Sequence, residues 1–493
     1  MNGCMASACA TSSPLAPVAR AASTPPACPS KKTAATGCRR RSVSCRATGG
    51  GRGDDGGLWL PRRDMLSALS GVAAGLAGYQ GLASAAVEGC LRGDKVDEKL
   101  VRCTDTDPKT GLPCPPPLPV PIVDFRPEGK VKRVRQPAHL LSREYQEKYK
   151  EAIAKMKALP PEHPLSFVAQ AAIHQAYCDS HYRWNDPAKD TSFDVHFSWL
   201  FAPWHRMYIY FYERALGQLI GDDTFAVPYW NWDAPSGMVV PALFRDSFAN
   251  PLHNRNRDPE HLDALVDLDY IGTLNSGKVP PPIPFNEPQD KKYKEAVNKN
   301  LCTVFQQQIR EGQGARAFLG EKLCSKFKVG ENELVGCQGS LERMAHTALH
   351  AWVGNPGSRV VGQDGVAHPN ADMGFLGSAG RDPLFYSHHA NVDRMWHIWS
   401  TKLGGKGFDD PEWLDASFVF YDDVENPRRV RIKFRDVLDA RNLGYTYDEE
   451  AEKDLPWINC KLTPLVPHGK DAPPRPSTRK AAPVFPVTLR KDQ

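Results

Sequence analysis

Fifteen histidines occur in this chain, and the placement of six of them constrains the fold more than any other sequence feature. His346 and His350 lie four residues apart in a segment with helical periodicity, so one helical turn puts both imidazoles on the same face. His389 lies in a second helical segment further along the chain. These three side chains can act together only if the two helices pack against each other.

A second group of histidines lies upstream. His174 is in an alanine-rich helical segment, and His196 and His205 bracket a run of aromatic and apolar residues. Pro203 lies within that run and favours the start of a helix close to its first turn. The sequence therefore predicts two trios, each drawing two helices together: His174, His196 and His205, and then His346, His350 and His389.

The type of donor atom in these trios indicates which metal they would bind. A single buried histidine is more often a hydrogen-bonded core residue, and a lone pair of histidines four residues apart also occurs in zinc sites. A zinc hydrolase usually adds a carboxylate or a cysteine and leaves one position for water. Three imidazoles for each metal suit copper, and two such ions roughly 3.5–4 Å apart can clamp both ends of a small oxygen species. The pattern thus predicts a centre of two copper ions.

Hydrophobic periodicity predicts a mainly α fold: a four-helix bundle that holds the dinuclear copper centre, with long loops and a few short β-strands. We assign residues 136–403 to the dicopper catalytic domain and residues 404–460 to the C-terminal part of the core. The predicted helices are 143–158, 164–183, 204–219, 292–312, 338–353 and 382–402, and the predicted strands are 417–421 and 428–434.

The first 86 residues predict where the chain is sent. Residues 1–57 are rich in Ala, Ser, Thr, Gly and Arg and contain no acidic residue before Asp54, which is typical of a plastid transit peptide. In residues 58–86, Arg62 and Arg63 precede an uncharged stretch that ends in small residues, which indicates a thylakoid-transfer signal of the twin-arginine type. A membrane anchor is the alternative, but four glycines in that stretch make it weak for spanning a bilayer.

These signals predict a location in the chloroplast, in the thylakoid lumen, without stable membrane insertion. The expected partners are the plastid import and twin-arginine translocation machineries. The basic leader also accounts for the charge of the chain, because residues 1–86 carry a net charge of +7 and the whole chain carries +5. Nucleic acid is therefore not an expected partner.

Residues 87–135 form a Pro-rich N-terminal arm that is not expected to be helical. Three of the thirteen cysteines, Cys90, Cys103 and Cys114, cluster in this arm. Cysteines in such a segment are either free thiols or disulfide partners, and an oxidising compartment favours pairing.

Four long motifs resemble the copper-binding halves of plant polyphenol oxidases, which are members of the type 3 copper family: HFSWLFAPWHRMYIYFYE, PYWNWDAPSGM, MAHTALHAWVG and AGRDPLFYSHHANVDRMW. The resemblance continues through DPEWLDASFVFYDD and LGYTYDEEAEKDLPW, and it covers nearly everything from Cys90 onward. It implies a catechol oxidase that converts o-diphenols to o-quinones and reduces O2 to water. Its partners would be O2 and small phenols, and each histidine trio would bind one copper ion.

The resemblance also assigns roles near the second copper. Of the adjacent histidines His388 and His389, the family uses the second as a ligand, so His388 shapes the oxygen pocket. Glu342 matches an acidic residue that orients a water near the second copper, and its spacing from His346 places both on one helix face. The alternative for Glu342 is a surface glutamate early in a helix.

Cys178 matches a cysteine that forms a thioether bond to the second ligand of the first copper, here His196. Such a bond would fix a ligand that lies on a loop. The alternative is an ordinary buried thiol.

Two positions bear on the substrate. Thr347 stands where members that hydroxylate monophenols often carry Asn, so we expect monophenolase activity to be weak or absent. Leu376 stands at the family's phenylalanine gate over the second copper, although Phe375 could partly substitute. A leucine gate would leave a wider mouth and less stacking on the substrate ring.

The chain departs from the family pattern in its cysteines and at its C-terminal end. Gln175 replaces a cysteine that follows the first ligand in relatives, and Cys114 could form a bridge to Cys90 or to Cys103. Residues 461–493 are interpreted as a linker and the truncated start of the C-terminal domain that shields the site in relatives.

The sequence leaves three rival functions. One is a reversible oxygen carrier, because hemocyanins of the same family use the same centre. Another is a biosynthetic oxidase that acts on one flavonoid-like substrate. The third is a non-catalytic role without metal.

Overall fold

The structure is a computed structural model. It describes residues 101–103 and 120–460, apart from gaps at 179–181, 185–192, 246–247, 286–289, 323–337, 363–365, 449–452 and 454. The predicted leader segments 1–57 and 58–86, the segment 461–493, and the possible pairing of Cys90 and Cys114 lie outside the described residues.

Helices are the main regular structure in the described part of the chain, and we number them in chain order. They are α1 Arg143–Ala158, α2 Phe167–Cys178, α3 Phe201–Ile220, α4 Tyr270–Asn275, α5 Lys291–Phe305, α6 Ala315–Leu319, α7 Thr347–Val353, α8 Pro383–Thr401 and α9 Pro411–Asp415. Two π-helical turns, Gln306–Arg310 and Glu342–His346, follow α5 and precede α7.

Nine short strands accompany these helices in the described residues. They are β1 Val101–Cys103, β2 Ile122–Asp124, β3 Arg133–Arg135, β4 Tyr182–Trp184, β5 Arg359–Val361, β6 Ala367–Pro369, β7 Ser417–Asp422, β8 Arg428–Lys433 and β9 Tyr445–Tyr447. Strands β2, β8 and β7 form a three-stranded sheet, with β2 parallel and β7 antiparallel to β8. Strand β3 pairs with β9 in parallel, and β1–β4 and β5–β6 form antiparallel pairs.

The predicted mainly α fold with a few short strands is confirmed, and most predicted elements lie close to observed ones. The predicted helix 164–183 was too long, because α2 ends at Cys178 and Tyr182–Trp184 form a strand. The predicted helix 338–353 is interrupted at Met344, whose φ of −92° and ψ of −110° are not helical.

Local capping explains where the helices begin and end. The Ser142 side chain accepts a hydrogen bond from the Tyr145 amide at the start of α1. Asp382 caps α8 in the same way through the Leu384 amide. Gly221 ends α3 with a φ of +68°, which a residue with a side chain adopts at a cost.

Helices α2, α3 and α8 are joined by buried tyrosines. The rings of Tyr212 and Tyr386 stack with centroids 3.6 Å apart. The Tyr208 hydroxyl donates to the Gln170 carbonyl at 2.6 Å and lies 3.0 Å from the Tyr386 hydroxyl. These contacts fix the distance between the helices that carry His174, His205 and His389.

Buried ion pairs connect α8 to α3, to strand β3 and to the segment that follows α3. Asp393 on α8 contacts Arg206 on α3 and accepts a hydrogen bond from Arg135 Nη1 at 3.1 Å. Arg394 pairs instead with Asp233 at 3.0 Å. Asp393 and Arg394 are adjacent in the sequence but form ion pairs with different partners.

A disulfide joins Cys302 on α5 to Cys460, which closes a loop of 158 residues. The same C-terminal segment is held by Trp457, whose indole donates to Asp233 at 3.0 Å. In the described part of the chain, no helix has both the length and the apolar character that a membrane crossing requires.

We expect Cys302→Ser to lower the free energy of unfolding by about 2–4 kcal/mol, because the unfolded chain regains the entropy that the crosslink removes. Urea unfolding without reductant measures this loss. Cys460→Ser is the matched variant, and the double variant should lose no more than either single one. Additive losses in the double variant, or single losses below about 0.5 kcal/mol, would contradict the crosslink.

Candidate metal centre

The first histidine trio comes from two helices and the loop between them. His174 lies in α2, His205 lies in the second turn of α3, and His196 lies in the loop before α3. The three side chains are buried, and one ring nitrogen from each lies within 4.8 Å of the others. The Nε2 atoms of His174 and His205 are 3.5 Å apart.

The second group contains the three predicted histidines together with His388. The Nε2 atom of His350 is 3.1 Å from that of His346 and 3.3 Å from that of His389. The two groups adjoin, because the His205 and His389 rings stack with centroids 4.3 Å apart. The structure thus brings all six predicted ligands into one buried cluster.

The hydrogen bonds of the rings show which nitrogen faces the cluster. The Nδ1 atom of His205 bonds to the Phe201 carbonyl at 2.8 Å, that of His346 to the Glu342 carbonyl at 2.9 Å, and that of His350 to the Met373 carbonyl at 2.7 Å. Because a carbonyl accepts, Nδ1 carries the proton of these neutral rings. Their Nε2 lone pairs therefore point into the cluster.

Two nitrogen lone pairs at 3.1–3.5 Å repel unless a cation lies between them. Burial keeps these rings neutral, since it lowers the pKa of His174, His205, His346 and His389 well below the usual value and that of His350 to about 4. Neighbouring histidines lower each of these pKa values further. Neutral imidazoles need not release a proton to bind metal, so the donor set fits two copper ions.

Aromatic rings exclude water from the cluster. The Phe385 ring lies 4.5 Å from the His174 ring and 4.2 Å from the His389 ring, between centroids. Phe201 covers the opposite side, 4.6 Å from His205 and 4.7 Å from His346. These walls make the surroundings of the metal apolar.

His388 lies at the edge of the second group. Its ring is nearly parallel to that of His346, with centroids 5.4 Å apart, and the Trp230 and Trp232 rings lie within 6.2 Å. Distance alone admits both His388 and His389 as metal donors. The choice of His389 is carried by the resemblance and stays a prediction.

Glu342 is fully buried rather than on the surface, so the alternative of a surface glutamate is wrong. One carboxylate oxygen accepts from the Phe197 amide at 2.7 Å and from the Gln338 side chain at 3.2 Å. Burial raises the pKa of Glu342 to about 7, although the nearby His196 opposes the rise. The carboxylate thus faces the loop of His196, while the backbone carbonyl of Glu342 supports His346 of the other group.

Thr347 is also buried, and its hydroxyl donates to the Glu342 carbonyl at 2.8 Å. This bond engages the only proton that the hydroxyl can donate. The side chain therefore has no donor left for a water beside the Glu342 carboxylate.

Cys178 is the last residue of α2, and its sulfur lies within 4.8 Å of ligand atoms of His196 and Asp194. Sequence reasoning missed Asp194, which contacts His196 directly. Its position two residues before a proposed ligand could have indicated this contact. An aspartate side chain often accepts a hydrogen bond from the backbone amide two residues later.

Leu376 begins a 3₁₀ turn, Leu376–Arg381, that packs on α2. A Cβ added at Gly380 in this turn would lie 3.2 Å from the His174 Cβ, so the turn approaches the first trio closely. Phe375 stacks on His368 with ring centroids 4.3 Å apart. That contact engages one face of the Phe375 ring.

Comparison with known families agrees with this centre. The common central domain of tyrosinase matches residues 164–402, which include all six histidines, and the polyphenol oxidase middle domain matches residues 407–463.

Among curated proteins, the chain is similar to a chloroplastic polyphenol oxidase of Malus domestica (39% identity, 86% of this chain, 66% of the relative). It is also similar to the chloroplastic polyphenol oxidase II of Ipomoea batatas (38%, 91% and 71%). A third relative is the chloroplastic (+)-larreatricin hydroxylase of Larrea tridentata (42%, 77% and 60%). The chain spans about two thirds of the length of these relatives.

Solved structures give the same result. The crystal structure of Grenache (Vitis vinifera) polyphenol oxidase matches with a TM-score of 0.60 and 39% identity, over 73% of this chain and 97% of that one. A recombinantly expressed latent aurone synthase, also a polyphenol oxidase, matches with a TM-score of 0.62 and 37% identity, over 74% and 69% of the two chains.

Two adjoining groups of buried imidazoles, held by four helices, define a type 3 copper protein. Within that class, the chain belongs to the plant polyphenol oxidases. The resemblance carried by the sequence motifs is thereby confirmed. Tyrosinase-family proteins of this type bind two copper ions, and the histidine groups fit them.

Proposed function

We propose that this chain is a catechol oxidase, which converts o-diphenols to o-quinones and reduces O2 to water. The observation that carries the proposal is the cluster of six buried imidazoles whose ring nitrogens converge in two adjoining groups. The general reaction of plant polyphenol oxidases is the oxidation of catechols to quinones, and the apolar walls around the cluster suit a small phenol.

In this proposal each trio holds one copper ion. Bound copper would supply electron transfer between the phenol and dioxygen, while the chain provides its position, a dry cavity and the orientation of the substrate ring. The first ion is held by His174, His196 and His205, and the second by His346, His350 and His389. His388 borders the oxygen pocket, and Leu376 leaves its mouth wider than a phenylalanine would.

A thioether bond between Cys178 and His196 is part of the proposal. Its formation would replace the S–H bond of Cys178 and one ring C–H bond of His196, and O2 would accept the two electrons and two protons. The two side chains lie within 4.8 Å of each other, and His196 is a proposed ligand that lies on a loop rather than on a helix. A covalent bond would fix its ring where secondary structure gives little support. A tryptic digest of the copper-loaded protein should contain the two peptides joined, resistant to reductant, and their recovery as separate peptides would contradict the bond.

The proposal includes a preference for diphenols over monophenols. Hydroxylation of a monophenol needs a proton acceptor next to the phenol, and a water held by Glu342 and an amide side chain at position 347 would provide it. Thr347 donates its proton to the Glu342 carbonyl instead. The test is O2 uptake with a monophenol and with the matching diphenol, and rapid monophenol turnover without a long lag would contradict this preference.

We expect Thr347→Asn to raise the monophenol rate relative to the diphenol rate by about 10-fold, below the 10²–10⁴-fold that a positioned proton acceptor contributes. Thr347→Val is the matched control, because it keeps the shape but has no hydroxyl, and it should leave the ratio unchanged. An unchanged ratio of monophenol to diphenol rates in the Asn variant would show that residue 347 does not control monophenolase activity.

A second candidate function is suggested by relatives that are named for one substrate or one product class. The (+)-larreatricin hydroxylase and the aurone synthase are as similar to this chain as the polyphenol oxidases are. A biosynthetic oxidase would strongly prefer one phenol in a panel of catechols, lignans and chalcones. Comparable rates across the panel would favour a general catechol oxidase.

We further propose that the protein reaches the thylakoid lumen of the chloroplast. Support comes from the leader composition, the Arg62-Arg63 pair and the chloroplastic names of several relatives. Import into isolated chloroplasts should give two successive cleavages, of which the second requires the proton gradient across the thylakoid membrane. A single cleavage that leaves the product in the stroma would contradict the lumen.

A further inference from the structure

Asp194 is a buried carboxylate in direct contact with a proposed copper ligand. Its Oδ1 atom accepts from the backbone amide of His196 at 2.7 Å and lies 3.0 Å from the ring Nδ1 of the same residue. Only 5% of Asp194 is exposed. The same carboxylate oxygen thus contacts both the backbone amide and the ring Nδ1 of His196. This contact leaves the ring Nε2 to face the cluster.

This carboxylate distinguishes His196 from the other ligands whose Nδ1 partner is defined. His205, His346 and His350 all bond through Nδ1 to backbone carbonyls, which carry no net charge. His196 alone among these four bonds to a carboxylate. The first trio therefore has a carboxylate next to one ligand, and the second trio has no such contact in the described residues.

In the part of the chain that the structure describes, no cationic side chain pairs with Asp194. Within the described residues, no arginine or lysine forms an ion pair with Asp194, whose carboxylate contacts the His196 ring instead. Two other buried carboxylates differ, because Asp393 contacts Arg206 and Asp382 contacts Arg257. A buried charge is costly unless an opposite charge lies nearby.

Backbone hydrogen bonds hold the loop that carries Asp194 and His196 in place. The Val195 amide donates to the Tyr177 carbonyl at 3.1 Å, which ties the loop to the end of α2. Phe197 has a φ of +61°, a strained value for this residue, and its amide donates to Glu342. The backbone is thus held on both sides of His196, within reach of the contact between Asp194 and the ring Nδ1.

We propose that Asp194 is a positioning residue for the first copper, and that copper is the cation that balances its charge. It fixes the tautomer of His196 and makes the ring a stronger donor, since a carboxylate pulls the Nδ1 proton more strongly than a carbonyl does. Copper in the first trio is then held more tightly than three imidazoles alone would hold it. This inference rests on the copper centre and does not depend on which phenol is oxidised.

The test measures copper affinity at one trio at a time. In a His350→Ala background, which leaves only the first trio complete, Asp194→Asn should weaken copper binding about 10–100-fold, the usual effect of losing such an outer partner. In a His205→Ala background, which leaves only the second trio complete, the same change should have no effect. Competition with a chelator of known affinity gives both values without any substrate.

The metal-free protein provides the second readout. Asn keeps an oxygen that can accept from His196 but removes the charge, so the melting temperature of metal-free Asp194→Asn should equal or exceed that of the native chain. Asp194→Ala also removes the acceptor and should weaken copper binding further.

Two results would overturn the inference. One is native copper affinity at the first trio in the Asn variant. The other is a loss of affinity accompanied by a lower melting temperature of the metal-free protein, which would indicate a merely structural role. Failure of the catechol oxidase proposal would appear in O2 uptake and would leave these measurements unchanged.

Discussion

Replacement of His350 with alanine is expected to lower the copper content from two ions to about one per chain and to abolish catechol oxidation. His350 Nε2 is within 3.3 Å of the Nε2 atoms of both His346 and His389, so its loss removes the donor at the centre of the second trio. The loss of activity should far exceed the about 10–100-fold decrease that follows loss of an outer partner of a ligand. Elemental analysis and O2 uptake on the same sample measure both effects.

The adjacent histidines of α8 provide a matched pair of controls. His389→Gln should lose one copper ion, whereas His388→Gln should retain two, because the proposed ligand set includes only the second of them. His397→Gln, two turns further along the same helix, should retain two copper ions and full activity. The assignment would be contradicted by a His350→Ala variant that keeps two ions, or by a His388→Gln variant that loses one.

Asp393→Ala is expected to lower the free energy of unfolding by about 3–5 kcal/mol, as for other buried ion pairs that lose one partner. Asp393 contacts both Arg135 and Arg206, which are almost fully buried, and both Tyr445 and Tyr447 donate to it. Its removal leaves two buried guanidinium groups without this partner. Urea unfolding, followed by far-ultraviolet circular dichroism, measures the loss.

A carboxylate near the surface serves as the control for Asp393. Asp415 pairs with Lys433 at 3.1 Å and with Arg435 at 2.9 Å, and all three side chains are at least one third exposed. Asp415→Ala should therefore cost no more than about 1 kcal/mol. Comparable losses of unfolding free energy in the two variants would show that burial does not determine how much the Asp393 ion pairs stabilise the fold.

The contacts of Asp393 also explain how α3 and α8, which carry His205 and His389, are held next to each other. Arg206 directly follows the proposed ligand His205, and Asp393 lies one helical turn after His389. Their ion pair therefore joins the helix of the first trio to the helix of the second. We attribute the spacing of the two trios partly to this contact.

Much of the centre could be predicted from the sequence because its signals are local. The four-residue spacing of His346 and His350 requires only one helical turn, and the boundaries predicted for α1 agree with the observed Arg143–Ala158. A Ser142 cap and regularly spaced apolar residues define that helix. The family motifs then supplied roles that spacing alone could not.

The parts that could not be predicted depend on contacts between distant residues. Cys302 and Cys460 are 158 residues apart, and Arg135 and Asp393 are 258 apart, so no local pattern indicates that they meet. The interruption at Met344 has no proline or glycine at that position to mark it. The contact of Asp194 with His196 is local, but it follows from an irregular loop for which periodicity gives no expectation.

The central claim is that six histidines hold two copper ions, and that the protein oxidises catechols while O2 is reduced to water. The most direct test is the ratio of O2 consumed to o-quinone formed by protein that contains two copper ions per chain. We predict one O2 for every two o-quinones, because each catechol gives two electrons and the reduction of O2 to water takes four. Reversible O2 binding without quinone formation, or no O2 uptake by the fully loaded protein, would contradict the account.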